Sequence, residues 1–223
     1  MGNALGIFGG RFDPVHYGHL HAAIDVRDAL ELVELRLLPA RDPPHRGTPS
    51  ATPAQRLAML ELALTEFPVL AIDARELSRT GKSYTIETLE ELRAEMPTRA
   101  IVLVMGVDTF AALPSWHRWM ELVDFAHIAV VTRPGASLDD VLRGPLVQLW
   151  QNRQSESRVQ LETSPAGAIF RVAVTPYAIS ATALRRALAR GRAGIEEVRG
   201  LLPAAVLSYI ETHHLYATGS DAS

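Results

Sequence analysis

The sequence predicts an α/β protein with a Rossmann-like, doubly wound parallel sheet and helices on both faces. Two patterns support this class: short runs of branched apolar residues recur along the chain, and longer amphipathic segments separate them. Strand–helix alternation of this kind is typical of parallel strands joined by right-handed crossovers. Because such folds bind ligands beyond the carboxyl ends of their strands, the loops that follow the predicted strands are the first places to look for a site.

The predicted elements follow one another along the whole chain. Apolar runs of strand length occupy Leu5–Phe8, Leu35–Leu38, Val69–Ile72, Ile101–Val104, Ile128–Val131 and Ile169–Val174. Helices are predicted over His19–Leu30, Ala54–Phe67, Ile86–Met96, Leu146–Trp150, Ser180–Arg190 and Pro203–His213, and a surface loop over Gln151–Ser157. No repeat or linker divides the sequence. It therefore predicts a single domain over residues 1–223, with a helical C-terminal portion at about 180–216.

Composition excludes several classes of function. The chain has 223 residues, 48% of them hydrophobic, which is enough for a buried core. Its 22 Lys and Arg against 25 Asp and Glu provide no overall positive field for a nucleic acid, so anionic partners must be bound locally. The absence of cysteine excludes disulfides and thiolate chemistry. Because signal-peptide and membrane-span patterns are also missing, the sequence predicts a cytoplasmic protein without nucleic-acid or membrane partners.

The segment from Gly9 to His19 connects the first predicted strand to the first predicted helix. Gly9 and Gly10 allow the backbone to approach a ligand closely, and a helix that begins near Gly18 points free N–H groups and its positive dipole end at the same place. His16 and His19 can each donate a hydrogen bond to a phosphate oxygen. The alternative is a glycine turn with histidines that cap or pack, but the combination favours a phosphate site.

A second candidate segment, Ile179 to Arg185, follows the last predicted strand. Ser180 is a natural N-cap, Thr182 falls in the first helical turn and Arg185 lies about one and a half turns into the helix. Hydroxyls, free amides and a guanidinium would then converge on an anion. An ordinary capped helix with solvated arginines explains this segment equally well when it is considered alone.

Together the two segments resemble the nucleotidyltransferase superfamily with an H-x-G-H signature. His16–His19 matches that signature, and Ser180–Arg185 matches its S-x-T-x-x-R partner motif. Further segments occur in the order found in bacterial nicotinate-mononucleotide adenylyltransferases: Pro43–Arg46, Ser83–Thr85, Gly106–Asp108, Pro114–His117 and Arg133–Pro134. Arg11 departs from the pattern, since the family usually carries Thr there.

The resemblance implies adenylyl transfer from ATP to nicotinate mononucleotide, with Mg²⁺ carried by ATP and no dedicated metal site. It implies catalytic roles for His16, His19 and Arg185, and it implies an acceptor site formed by Thr85, Trp116, His117 and His45. The ATP-binding set implied by the resemblance is Gly9, Gly10, Arg11, Phe12, His16, His19, Gly106, Asp108, Arg133, Ile179, Ser180, Thr182 and Arg185. Oligomeric state is not implied.

Alternatives remain at this point. Without the family resemblance, Trp116 is better explained as a core residue, as is Trp119. A nicotinamide-mononucleotide or phosphopantetheine adenylyltransferase would share both phosphate motifs, so the acceptor segments favour nicotinate. A nucleotide-binding sensor without catalysis would have no need of transition-state contacts from His16, His19 and Arg185.

Overall fold

The computed structural model describes residues 3–41, 50–81, 83–132 and 138–217. In these ranges six strands form one sheet in the order β3-β2-β1-β4-β5-β6. Every neighbouring pair is parallel, so the predicted fold class is confirmed. The strands are β1 (Leu5–Gly10), β2 (Glu34–Pro39), β3 (Ala71–Ile72), β4 (Ile101–Gly106), β5 (His127–Thr132) and β6 (Ile169–Ala173).

Helices occupy the connections and the C-terminal part of the chain. They are α1 (Tyr17–Ala29), α2 (Pro53–Leu64), α3 (Arg75–Ser78), α4 (Thr85–Glu95), α5 (Val107–Ala111), α6 (Leu122–Phe125), α7 (Leu138–Val141), α8 (Pro145–Arg153), α9 (Gln160–Thr163), α10 (Ala181–Leu188), α11 (Arg192–Val198) and α12 (Ala204–Thr212), with short 3₁₀ turns at Leu113–Ser115 and Trp119–Glu121. None of the helices in the described ranges is long and apolar enough to cross a bilayer.

The sheet separates two apolar layers, because successive strand residues point to opposite faces. Val102 and Val104 of β4 pack in one layer with α1, α2 and α10 to α12. Leu103 and Met105 pack in the other layer with α4 to α8. The central strands β4 and β5 are buried on both faces, which explains why their sequences are continuous apolar runs rather than alternating ones.

The third strand and the loop predicted from Gln151 differ from the sequence prediction in their boundaries. The third strand is only Ala71–Ile72, because at this sheet edge Val69 is half exposed and only these two residues pair with β2. The loop predicted from Gln151 is wrong for its first three residues, since α8 continues to Arg153. Those polar residues form the exposed last turn of a helix whose Leu149 and Trp150 pack against the core. Polarity alone therefore does not end a helix.

Helix α11 was not expected from the sequence. A glycine inside a helix lowers its stability, so Gly194 weakens the local signal. In the structure Gly194 lies directly against α10: a Cβ built there would be 1.7 Å from the carbonyl oxygen of Ala187. Close packing of the two helices requires this glycine, and only the tertiary structure reveals that requirement.

The strand order determines where a ligand can bind. From β1 the chain moves outward to β2 and β3, then returns to β4 on the other side of β1 and moves outward again to β5 and β6. Connections leave β1 and β4 in opposite directions, which opens a crevice at the carboxyl ends of these two strands.

Candidate active site

A cavity of about 560 Å³ lies in this crevice. Residues at the carboxyl ends of β1, β2 and β4 form its floor, and α1, α4 and α10 contribute side chains around it. It brings together twelve residues predicted as site residues: Gly9, Gly10, Arg11, Phe12, His19, Thr85, Gly106, Asp108, Trp116, His117, Thr182 and Arg185. Sequence positions more than 170 residues apart thus meet at one place.

Two cavity glycines leave space that the described residues do not fill. A Cβ built on Gly9 or on Gly106 would meet no atom of the described part of the chain within 4 Å. Gly10 is different, because a Cβ there would lie 2.8 Å from the ring of Phe12. Gly10 is therefore required by packing, whereas Gly9 and Gly106 leave backbone open to a ligand at the ends of neighbouring strands.

The two histidines of the first motif form a stacked pair at the start of α1. Their ring centroids lie 3.7 Å apart at an interplanar angle of 23°. Phe12 approaches His19 edge-on, with centroids 5.1 Å apart. His16 is only 2% exposed and does not line the cavity, whereas His19 does. The structure therefore separates the pair: His19 faces the cavity, and His16 supports it from behind.

The second motif reaches the first loop through Arg185. Arg185 Nη1 donates a hydrogen bond to the carbonyl oxygen of Asp13 over 2.7 Å, and Nη2 lies 3.4 Å from the hydroxyl of Thr182. Ser180 is the N-cap residue of α10 and is exposed, without a side-chain capping bond. Ile179 packs against the core, 3.6 Å from a Cβ built on Gly18. Neither Ser180 nor Ile179 lines the cavity.

A buried arginine shapes the loops that carry these groups. Arg56 of α2 is 0% exposed, and its Nη1 donates to the carbonyl oxygens of Arg11 and Ala40 over 2.9 and 2.6 Å. Its Nη2 donates to the carbonyl oxygen of Arg41 over 3.1 Å. A guanidinium presents donors in a fixed planar fork, so Arg56 holds the loops after β1 and β2 in one relative position. Arg56 was not among the residues predicted for the site.

The opposite part of the cavity contains the residues predicted for the acceptor. Thr85 begins α4, Trp116 is half-buried and packs against the core, and His117 is exposed. Tyr84, which had no predicted role of its own, packs its ring against His117 at 4.7 Å. Trp116 therefore both packs against the core and lines the cavity, and its stacking on an acceptor ring stays a prediction.

Beneath the start of α4 lies a polar cluster that the sequence did not reveal. The Thr88 hydroxyl donates to Glu76 Oε1 over 2.7 Å, and Arg79 Nη1 donates to Thr88 and Ser83. Burial raises the pKa of Glu76, although the hydrogen bonds from Thr88 and Ser83 act in the other direction. Glu76 and Ser83 also line the cavity, so this cluster supports the acceptor side from below.

Two predicted site residues, His45 and Arg133, lie outside the described residues. Asp108 is exposed in the first turn of α5 and lines the cavity. The described residues include no group of three or more His, Asp or Glu side chains arranged to hold a metal ion. Asp13, quoted within the first motif but given no role, is 1% exposed and hydrogen-bonded on several sides.

The fold and the two phosphate motifs define a nucleotidyltransferase class of protein. The chain belongs to the cytidylyltransferase-like family, whose model matches residues 7–187. This agrees with the resemblance seen in the sequence, because the match begins in β1 and extends beyond Arg185.

More specific similarity comes from curated relatives. The chain is 46% identical over 214 residues to a protein of Methylococcus capsulatus named "Probable nicotinate-nucleotide adenylyltransferase", covering 96% of this chain and 99% of that protein. A Pseudomonas putida protein of the same name is 48% identical over 215 residues, covering 95% of this chain and 94% of that protein. The predicted resemblance to this enzyme family is confirmed.

A solved structure shows the same fold at much lower sequence identity. The Plasmodium falciparum nicotinic acid mononucleotide adenylyltransferase complexed with NaAD has a TM-score of 0.74 and is 15% identical. The similarity covers 96% of this chain and 97% of that chain. At this identity the likeness supports the architecture alone.

Proposed function

We propose that this chain is an adenylyltransferase that moves AMP from ATP to nicotinate mononucleotide, forming deamido-NAD and pyrophosphate. The observation that carries the proposal is the single cavity that joins His19, Thr182 and Arg185 on one side with Thr85, Trp116 and His117 on the other. A two-substrate transfer needs both ligands held together, and positioning of this kind supplies much of the catalysis in phosphoryl-group reactions.

In the proposed reaction, a phosphate oxygen of nicotinate mononucleotide attacks the α-phosphorus of ATP. A new phosphorus–oxygen bond forms, the bond from the α-phosphorus to the bridging oxygen breaks, and pyrophosphate leaves with the electron pair. The attacking phosphate is already ionised at neutral pH, so no general base is needed. His19 would donate to the α-phosphate where charge develops, while Arg185 and Thr182 would hold the outer phosphates.

The remaining ATP contacts follow from the strand ends. Gly9 and Gly106 leave open space for the nucleotide, and Asp108 would accept hydrogen bonds from the ribose hydroxyls. Arg11 adds positive charge at the loop. Together with Arg185, Arg11 would produce a local anion site in a protein whose formal net charge is −3.

On the acceptor side, Trp116 would stack on the pyridine ring, since an indole offers a flat apolar face. Backbone N–H groups of Thr85 and His117 would donate to the nicotinate carboxylate. Charge-assisted hydrogen bonds of this type are stronger than those to a neutral amide, which is the physical basis for preferring the acid.

Magnesium would enter with ATP. When bound with ATP, it would supply neutralisation of the charge on the triphosphate and on the departing pyrophosphate. Imidazole and guanidinium groups suit the phosphates rather than the metal, and Mg²⁺ commonly keeps several waters when substrate phosphates bind it. We also propose that the chain acts in the cytoplasm as one domain over residues 1–223.

The test is pyrophosphate release by the purified chain with ATP and each of three acceptors: nicotinate mononucleotide, nicotinamide mononucleotide and phosphopantetheine. We expect kcat/KM for the nicotinate acceptor to exceed that for its amide by roughly tenfold or more. Equal values or an amide preference would refute the roles of Thr85 and His117. ATP binding without turnover on any acceptor would favour a sensor instead.

A matched pair of variants adds a control to this assay. Arg185→Ala removes a cavity guanidinium that is bonded to Asp13, whereas Arg186→Ala removes an exposed neighbour that does not line the cavity. Only the first change should weaken activity.

A further inference from the structure

The loop that carries the first motif is tied to a residue near the end of the sequence. The Tyr216 hydroxyl donates a hydrogen bond to Asp13 Oδ1 over 2.8 Å, although the two residues are 203 positions apart. The same carboxylate accepts hydrogen bonds from the backbone N–H groups of Ser50, at 2.8 Å, and Ala51, at 3.2 Å. Asp13 therefore joins three segments that are distant in sequence.

Asp13 also determines where Arg185 lies. Its carbonyl oxygen accepts the 2.7 Å hydrogen bond from Arg185 Nη1, while its carboxylate accepts the bond from Tyr216. One residue thus links Tyr216 to a guanidinium that lines the cavity. Any shift of the Asp13 backbone would displace Arg185 and the start of α1, where His16 and His19 are located.

The backbone near Tyr216 adopts an unfavourable conformation that other contacts must stabilise. Tyr216 has a φ of +66° and His214 a φ of +50°, a left-handed conformation that residues with a Cβ rarely adopt. Leu215 N–H donates to the Ile210 carbonyl, and both Leu215 and Tyr216 pack against the core. Hydrogen bonds to an ionised carboxylate are among the stronger kinds, so the Asp13 contact helps to stabilise this bend.

Tyr216 is the donor in this hydrogen bond. Burial of its hydroxyl is the largest cause that raises the pKa of Tyr216 above its usual value, and the neighbouring charge of Asp13 is the next largest. The hydroxyl therefore stays protonated and remains a donor throughout the physiological pH range.

We propose that Tyr216 is a positioning residue for adenylyl transfer, which through Asp13 fixes the loop that holds Arg185 and leads into α1. Tyr216 does not line the cavity, so it acts on the nucleotide only through Asp13. The inference rests on the proposed function for the identity of its ligand, ATP.

The test compares Tyr216→Phe with Tyr209→Phe. The first change removes the hydroxyl that bonds to Asp13 and keeps the ring. The second makes the same change on α12, where the ring stacks on His213 with centroids 3.9 Å apart. Calorimetric titration without acceptor gives the Kd for ATP, and steady-state assays give kcat and the acceptor KM.

We expect Tyr216→Phe to raise the Kd for ATP by roughly tenfold and to lower kcat, with the acceptor KM changed less than about twofold, because small displacements of positioning groups have large effects. Tyr209→Phe should behave as the unaltered chain does. In an Asp13→Ala background, which has no side-chain acceptor for Tyr216, loss of the Tyr216 hydroxyl should have little further effect, because the two residues act as one unit. The same comparison keeps the proposal testable if Tyr216→Phe by itself is destabilised, because the Asp13 variant and the double variant both carry the Asp13 change.

A Tyr216→Phe protein with a lowered Tm but unchanged ATP Kd and kcat would overturn the proposal and leave a purely structural contact. Equal losses of ATP affinity in both tyrosine variants would also overturn it. Failure of the proposed function would give a different result. An unaltered chain that binds ATP but makes no deamido-NAD would contradict that function, while the Kd values for ATP could still be compared between the two tyrosine variants. An unaltered chain that binds no ATP overturns both.

Discussion

The two proposed halves of the cavity are built differently. We call the part around His19, Thr182 and Arg185 the phosphate half, and the part around Thr85, Trp116 and His117 the acceptor half. In the phosphate half, Asp13 and His16 are 1% and 2% exposed, and hydrogen bonds from Arg185 and Tyr216 reach Asp13 from 172 and 203 positions away. In the acceptor half, His117 is exposed and Trp116 only half-buried. The loop beneath the phosphate half is buried and cross-linked, whereas the two rings predicted to contact the acceptor are more exposed.

The contacts between the acceptor segments show the same contrast. The Tyr84 ring meets that of His117, and Arg118 pairs with Glu90 over 2.8 Å at a partly exposed position. Surface ion pairs contribute little to stability. Donors that stabilise a transition state work best when they are already in place, while an acceptor must enter and leave. Changes in the phosphate half should therefore reduce rate or nucleotide affinity, and changes in the acceptor half should reduce acceptor affinity.

The largest expected effect is that of His19→Ala. Loss of a preorganised donor at the α-phosphate commonly costs about 100-fold in kcat, or roughly 3 kcal/mol. The KM for ATP should change much less, since the bond gains strength mainly in the transition state. Steady-state kinetics at saturating ATP and acceptor will measure it, with the exposed His213→Ala as control. A folded His19→Ala protein with near-normal kcat would contradict the catalytic role.

A pair of glycine variants tests whether the space in the phosphate half is reserved for ligand. Gly9→Ala adds a methyl group that meets no atom of the described residues within 4 Å, so Tm should be unchanged while the KM for ATP rises by roughly tenfold or more. Gly10→Ala places the methyl 2.8 Å from Phe12 and should lower Tm instead. If Gly9→Ala leaves ATP binding intact, the nucleotide does not approach this backbone.

Trp116→Ala tests the acceptor half. We expect the acceptor KM to rise by about five- to tenfold, which corresponds to a stacking loss of about 1 kcal/mol, while the KM for ATP stays nearly unchanged. Trp119→Ala is the control, because Trp119 packs against the same core layer without lining the cavity. A Trp116 variant that loses only ATP affinity would show that the two halves are wrongly assigned.

The smallest effect concerns stability under the acceptor half. Because the pKa of Glu76 is raised in the folded chain above its ordinary value of 4.5, the folded state keeps a proton that the unfolded state has released. The stability that Glu76 contributes is fully present below pH 4.5 and is lost as the pH rises through the pKa of Glu76 in the folded chain. Glu76→Gln cannot titrate, so its Tm should exceed that of the unaltered chain at pH 8 and match it near pH 4. A lower Tm at pH 8 would mean that ionised Glu76 is stabilising.

Much of the fold and part of the candidate site could be predicted from local sequence patterns. Apolar runs and amphipathic segments predicted the strands and most helices, since both patterns depend on neighbours within a few positions. Glycines and histidines at a strand end likewise indicated a phosphate loop. Local patterns do not reveal the contacts of a buried polar residue, and His127 is an example. It is fully buried, with Nδ1 accepting from the Ala168 N–H and Nε2 bonded to the Ser164 carbonyl, and burial lowers its pKa.

What the sequence by itself determined was the fold class, the motifs and their placement after strands. The tertiary structure decided the strand order, the division between cavity-facing His19 and supporting His16, and the convergence of Arg56, Arg185 and Tyr216 on the loop after β1. The physical reason is the range of the interactions. Helix and strand periodicity arises between close neighbours in the chain, whereas a buried hydrogen bond depends on the distance and direction between atoms that only the folded backbone brings together.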